Sequence, residues 1–185
     1  MLFRSKREWQ GQGRRLVRPR VGATSFSIPA RKIRQAEPAA KTQEFATHCV
    51  DPEVGEALGL PTAYAFTSEE AYYDDLNCSR FAITTRRGGW DCLRHYEIAA
   101  AGAVPCFRDL RAKPPTCAPH GLRAGINCLS YHNWADLREQ VARVTPEGYA
   151  ALLRGARAWV GEHTTAAAAE RLLRQVDRLG GRRDG

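Results

Sequence analysis

The chain has 185 residues, 43% of them hydrophobic and 26% charged, with a formal net charge of +8. These are values of a single globular domain with room for a hydrophobic core. No apolar run is long enough to span a bilayer, and Met1 to Arg20 lacks the apolar stretch of a secretory signal peptide, so a cytoplasmic protein is expected.

Much of the positive charge lies at the ends: Arg4, Lys6, Arg7, Arg14, Arg15, Arg18 and Arg20, then Arg182 and Arg183. These read as solvated basic segments, 1–21 and 181–185, flanking a domain over 22–180. No specific nucleic acid is expected. A basic surface also suits a phosphorylated substrate or an anionic, peripheral membrane face. None of the six cysteines forms a C-x-x-C pair, so no zinc or other metal site is expected. Cys49, Cys92, Cys106 and Cys128 stand among apolar residues and read as small buried hydrophobes.

In chain order, Ala23 to Pro29, Glu44 to Val50 and Thr62 to Phe66 are candidate strands. Thr67-Ser-Glu-Glu opens a helix carrying Tyr72, Tyr73 and Leu76, with Thr67 or Ser68 as its cap. Residues 79–84 read as a strand and 85–90 as a loop. Asp91 is placed to cap a helix that runs to Ala101 and stops at Gly102. Residues 103–107 form the next strand, where Pro105 argues for an edge or a strand end. Strand, helix and strand within about thirty residues make a βαβ unit, so an α/β, Rossmann-like sandwich with a mostly parallel sheet is expected.

Residues 108–121 are proline-rich loop, and 126–130 form a short strand. Thr145-Pro146-Glu147 starts a helix with Tyr149, Leu152, Leu153, Ala156, Trp159 and Val160 on one face. A last helix follows Thr164 and Thr165, with Ala169, Leu172, Leu173, Val176 and Leu179 on its apolar face.

The helix from Asp91 is the informative element. Leu93, Glu97, Ala100 and Ala101 follow the spacing of a core-facing stripe, which puts a carboxylate on or beside an apolar face. Such a group needs a partner, either a cation such as Arg94 or His95 or a ligand hydroxyl. The loop before the helix carries Arg86, Arg87, Gly88 and Gly89. Glycines let backbone amides approach an anion, a helix start adds free N–H groups, and arginines add bidentate donors for phosphate. Glu97 lies about 9 Å further along the helix than Asp91, a distance suited to a sugar hydroxyl near a bound phosphate. His95 is open between a phosphate contact and a packing role. Trp90 reads as core rather than a base-stacking ring, His48 and His132 as structural, and Asp109 as a strand-end residue near a ligand or a loop cap.

The stretch from Phe81 to Phe107, with its R-x-x-E helix followed by G-x-x-P, resembles the donor-binding segment of exostosin-like and related GT-B glycosyltransferases. Phe26-Ser-Ile-Pro and Tyr72-Tyr73-Asp74 resemble one bacterial and viral branch of them. The resemblance covers roughly residues 22–175. It implies a lobe that binds a nucleotide-sugar donor, with the basic loop of Arg86, Arg87, Gly88 and Gly89 facing the diphosphate, Glu97 on the ribose, and Arg94 facing the phosphates or pairing with Glu97; Asp91 and His95 complete the candidate donor-binding residues. It also implies a glycan or other acceptor, a separate N-terminal lobe, and no bound cofactor or metal. The paired Glu-x7-Glu of some relatives is missing, since Gly89 and Pro105 stand eight residues either side of Glu97. A non-catalytic lobe that binds nucleotide or a partner is the alternative, and no catalytic residue is assigned.

Overall fold

A computed structural model describes residues 4–6, 21–34, 40–115, 117–118 and 120–180. The basic residues from Arg7 to Arg20 and at 182–183 lie outside them. A two-stranded parallel ribbon joins β1 (Arg4–Lys6) to β2 (Val21–Ala23). The expected strand over 23–29 is not continuous. Ile28 makes one bridge instead, its N–H donating to the His163 carbonyl at 3.0 Å and its carbonyl accepting from Thr165 N at 2.9 Å.

The main sheet contains β3 (Gln43–Phe45), β4 (Ser79–Thr84), β5 (Val104–Arg108) and β6 (Leu129–Tyr131), all parallel and side by side in chain order. Phe81 stands opposite Val104 and Thr84 opposite Phe107, so the expected βαβ unit is present. Two corrections concern strands. Of the two expectations for Pro105 the strand end holds and the edge does not: β5 lies between β4 and β6, but Pro105 is its second residue and the β6 ladder begins only at Cys106, which leaves the proline outside the pairing on that side. The stretch 62–66 is not a strand, and only the start of 44–50 and the end of 126–130 are.

Among the described residues six α-helices accompany the sheet: α1 (Pro52–Leu58), α2 (Glu69–Cys78), α3 (Leu93–Ala100), α4 (Trp134–Arg143), α5 (Pro146–Gly161) and α6 (Thr165–Gly180). Ser68 caps α2 and Thr145 caps α5, each side-chain oxygen accepting a backbone N–H at 3.1 Å. The sequence reading has no counterpart for α1 and α4. Gly55 weakens the helical pattern of the first, and only Leu137 and Val141 are buried in the second.

Alternation along the strands builds two cores. Phe81, Ile83, Val104, Cys106 and Leu129 face α1, α4 and the first half of α5, through Val54, Leu137, Val141, Leu152 and Leu153. On the other face Ala82 meets Tyr72, Leu76 and Ile98, while Phe107 packs with Tyr96, Ala100, Ala156 and Trp159. The result is a three-layer, Rossmann-like α/β fold. Cys49, Cys106, Cys117 and Cys128 are buried, whereas Cys92 is partly exposed. The apolar face expected on α6 does not join either core: Leu173 is 63% and Val176 48% exposed. No described helix is long and apolar enough to cross a membrane.

Helix α5 approaches the 126–127 backbone so closely that only glycine fits at 155. An added Cβ there would overlap the Ile126 carbonyl oxygen and lie 3.0 Å from its carbon. Backbone cannot swing aside as a side chain does, so Gly155→Ala is expected to cost about 1–3 kcal/mol. Gly161, at the end of the same helix, has open space around it, and Gly161→Ala is expected to stabilise by a few tenths to about 1 kcal/mol. Thermal melts of the two variants test this packing; equal melting points would contradict it.

Candidate functional site

All four strands of the main sheet point the same way, so the loops that follow them meet at one end, where open α/β sheets bind ligands. The loop after β4 is the most open of them. Arg86, Arg87 and Gly88 are exposed, Gly89 is half-buried, and a Cβ at Gly88 would meet nothing. The one internal bond runs from Arg87 N to the Gly89 carbonyl, at 3.2 Å. Trp90 closes the loop by turning inward as expected. It stacks on Phe107 with centroids 6.2 Å apart, and Arg86 lies over it at 5.3 Å.

Three of the candidate donor-binding residues have partners within the protein. Asp91 does not cap α3, which starts at Leu93 with Cys92 at its cap and no side-chain cap bond. The buried Asp91 carboxylate accepts instead from Phe26 N at 2.7 Å and from the Tyr96 hydroxyl at 2.9 Å, tying the segment before Ile28 to α3. Arg94 makes no salt bridge to Glu97. Its Nε donates to the Ile83 carbonyl at 3.1 Å and its Nη2 to the His48 carbonyl at 2.7 Å. His95 is fully buried, its Nδ1 2.8 Å from Thr84 Oγ1 and its Nε2 3.1 Å from the Trp90 carbonyl. The stripe expected through Leu93 is also rotated. Leu93 is 39% exposed, and His95, Tyr96, Ile98, Ala99 and Ala100 carry the burial, because α3 packs against α2, α5 and the sheet at once.

Glu97 stays at the margin of the apolar face, half-buried. Among the described residues its carboxylate has no cation within salt-bridge distance, and the Tyr72 hydroxyl is its neighbouring donor. Burial raises its pKa above the ordinary carboxylate value, opposed by the more distant charges of Arg94 and Lys32 and by the nearby Tyr72 hydroxyl. Lys32 is paired with Glu69. Both line a pocket of about 220 Å³ with Arg31, Arg34, Glu70 and Tyr73. The carboxylate is therefore partly desolvated and unpaired by any described cation, with the Tyr72 hydroxyl as a neighbouring donor, a state that further ligand hydroxyls relieve.

A second cluster, at the ends of β5 and β6, was not read from the sequence. Asp51 is wholly buried and accepts from Glu53 N, from Arg108 Nη1 at 2.7 Å and from the Tyr131 hydroxyl at 2.6 Å. Glu53 takes the other arm of Arg108 at 2.8 Å. Beyond them Asp109, in a left-handed conformation (φ 55°), holds exposed His132 Nδ1 at 2.7 Å, and this bond raises the imidazole pKa. The Asp51-Pro52-Glu53 pattern was the available signal, a cap followed by proline and an acid. Among the described residues no group of three or more His, Cys, Asp or Glu is placed to hold a metal ion. Neither a protein-family model nor a curated protein matches the chain.

Behind the basic loop, His95 and His120 sit together with ring centroids 5.7 Å apart, both fully buried. Burial lowers their pKa values to about 4 and about 3, so both are neutral in the folded protein. Between the ordinary value of 6.5 and about 4 the unfolded chain binds protons that the folded chain refuses. Stability therefore falls as pH falls through that window, by about 1.4 kcal/mol per pH unit for each such group. Melting points at pH 6.5, 5.5 and 4.8 are expected to drop steadily. His95→Gln is expected to melt lower at neutral pH and to show a shallower decline; an unchanged slope would remove His95 from this account.

Proposed function

We propose that this chain is the nucleotide-sugar-binding lobe of a glycosyltransferase, acting on a nucleoside-diphosphate sugar. The observation that carries the proposal is Glu97: a half-buried carboxylate with no salt-bridge partner among the described residues, on the helix that follows an open Arg-Arg-Gly-Gly loop at the carboxyl end of a parallel sheet. In this reading the exposed Arg86 and Arg87 and the backbone around Gly88 and Gly89 face the diphosphate. Glu97 accepts hydrogen bonds from ribose hydroxyls. Asp91, Arg94 and His95 hold the frame without touching the ligand. The sugar goes to a glycan or other acceptor, with a separate N-terminal lobe as the other wall of the cleft. The basic composition fits a cytoplasmic lobe, free or against an anionic membrane surface. A second reading, a lobe that binds nucleotide without transferring sugar, is favoured by the lack of a second glutamate eight residues from Glu97.

Glu97→Gln keeps the shape and removes the charge. A hydrogen bond to a charged group contributes about 1.5–3 kcal/mol, so affinity for nucleoside diphosphates is expected to fall roughly ten- to a hundredfold. The folded state raises the pKa of Glu97, so its charge costs stability, and the variant is expected to melt at the same temperature or higher. Calorimetric titration beside thermal melts reads both. A lower melting point with unchanged nucleotide affinity would make Glu97 a structural residue and remove the site.

A further inference from the structure

The segment 59–68 between α1 and α2 carries a feature that neither the diphosphate loop nor Glu97 uses. Tyr64 is 56% exposed, yet its ring is held in place by other rings. Its centroid lies 5.4 Å from His48 and from Phe66, and 5.7 Å from Tyr72. Phe66 and Tyr72 are themselves 5.4 Å apart, and Arg94 lies over Tyr72 at 5.8 Å. The inner part of this cluster is polar but unsatisfied. His48 is 8% exposed and Tyr72 4% exposed, and neither His48 Nδ1 nor the Tyr72 hydroxyl makes a hydrogen bond of normal geometry. Buried polar atoms left without partners are uncommon and mark places where a ligand or water completes the structure.

The cluster is tied to the helix that carries Glu97, through Arg94. Arg87 of the basic loop is close enough to His48 to act on its charge. At the other end the Tyr72 hydroxyl acts on Glu97. The Tyr64 ring packs on His48 and Tyr72, and Arg94 of α3 holds both, donating to the His48 carbonyl and lying over the Tyr72 ring. We propose that Tyr64 is the stacking platform for the nucleobase of the bound nucleotide, with His48 and the Tyr72 hydroxyl beside it as the polar contacts. This rests on the nucleotide reading of the Glu97 site and adds to it the one part of a nucleoside diphosphate left unassigned. An aromatic ring already fixed by neighbours loses little freedom when a base lies on it, and every base has a π face to offer. His48 suits a polar base edge, because burial and the charges of Arg94 and Arg87 lower its pKa to about 4 and keep it neutral, with one donor and one acceptor nitrogen.

The test compares ligands with and without a base. Purified protein is titrated with UDP, ADP and GDP, with pyrophosphate and ribose 5-phosphate as baseless probes, and with methyl glycosides. Tyr64→Ala is the main variant and Tyr64→Trp the conservative one; both substitute a largely exposed side chain, and melts verify folding. Removing a stacked ring is expected to weaken nucleoside diphosphates about five- to a hundredfold. Pyrophosphate and ribose 5-phosphate should be unaffected, and Tyr64→Trp should bind as well as the parent. Nucleoside diphosphates that bind Tyr64→Ala as tightly as the parent, while Glu97→Gln still weakens them, would overturn the platform and leave the nucleotide site standing. Loss of methyl glycoside binding alone would assign the ring to an acceptor sugar and also overturn it. If no nucleotide and no pyrophosphate binds the parent protein, the platform and the underlying nucleotide reading both fail.

Discussion

The carboxyl end of β4 depends on one side chain. Arg94 reaches from the first turn of α3 to the carbonyl of Ile83 in β4 and to that of His48 in the segment after β3. Carbonyls at strand ends lose their ladder partners and must find donors elsewhere. A guanidinium supplies several donors in a fixed plane, so one residue can join helix, strand and loop. The same commitment explains the state of Glu97, three residues further along the helix. The nearest cation on its own helix is turned toward backbone, and the carboxylate remains half-buried with its charge opposed by burial.

The other half of that end is organised in the opposite way. Asp51 is fully out of water, and its oxygens are filled by Arg108, the Tyr131 hydroxyl and the first N–H of α1. A buried carboxylate with this many donors is a fastening between α1, β5 and β6. His95 closes the layer between, bonded to Thr84 on one ring nitrogen and to Trp90 on the other. The open loop at 85–90 and the ring of Tyr64 thus stand on a base whose polar groups are mostly spoken for. A ligand would find the exceptions: His48 Nδ1, and the Glu97 carboxylate with the Tyr72 hydroxyl beside it.

What was legible in the sequence was local. The run from Ser79 to Thr84 is apolar, bounded by turn-forming residues and followed by a helix that ends at Gly102 in a left-handed conformation, so strand, helix and stop could be placed within a few residues. The caps at Ser68 and Thr145 were legible for the same reason. Partners distant in the chain were not. Asp91 sits two residues before a helix and looks like a cap, yet it bonds a backbone N–H 65 positions away, which leaves no mark in the side-chain pattern. Arg94 is similar, because carbonyls have no residue signature. Helical phase placed Glu97 correctly at the edge of the buried face but put Leu93 on the wrong side, because α3 is packed on three sides and no single stripe describes it. The Tyr64 ring depends on four rings meeting across 48–72, a tertiary fact.

The main sheet runs β3, β4, β5, β6 in space as in the chain, with no strand inserted between earlier neighbours. Each strand is added at the growing edge, beside the one made just before it. The loops that must close are therefore one crossover long, and closure entropy rises only slowly with such lengths. Contacts of short sequence separation favour rapid folding. Parallel sheets are slow to assemble when their strands come from distant parts of the chain, and this order avoids that. The architecture lends itself to assembly from one end to the other as the polypeptide emerges, with each new βα unit shielding the apolar face left by its predecessor.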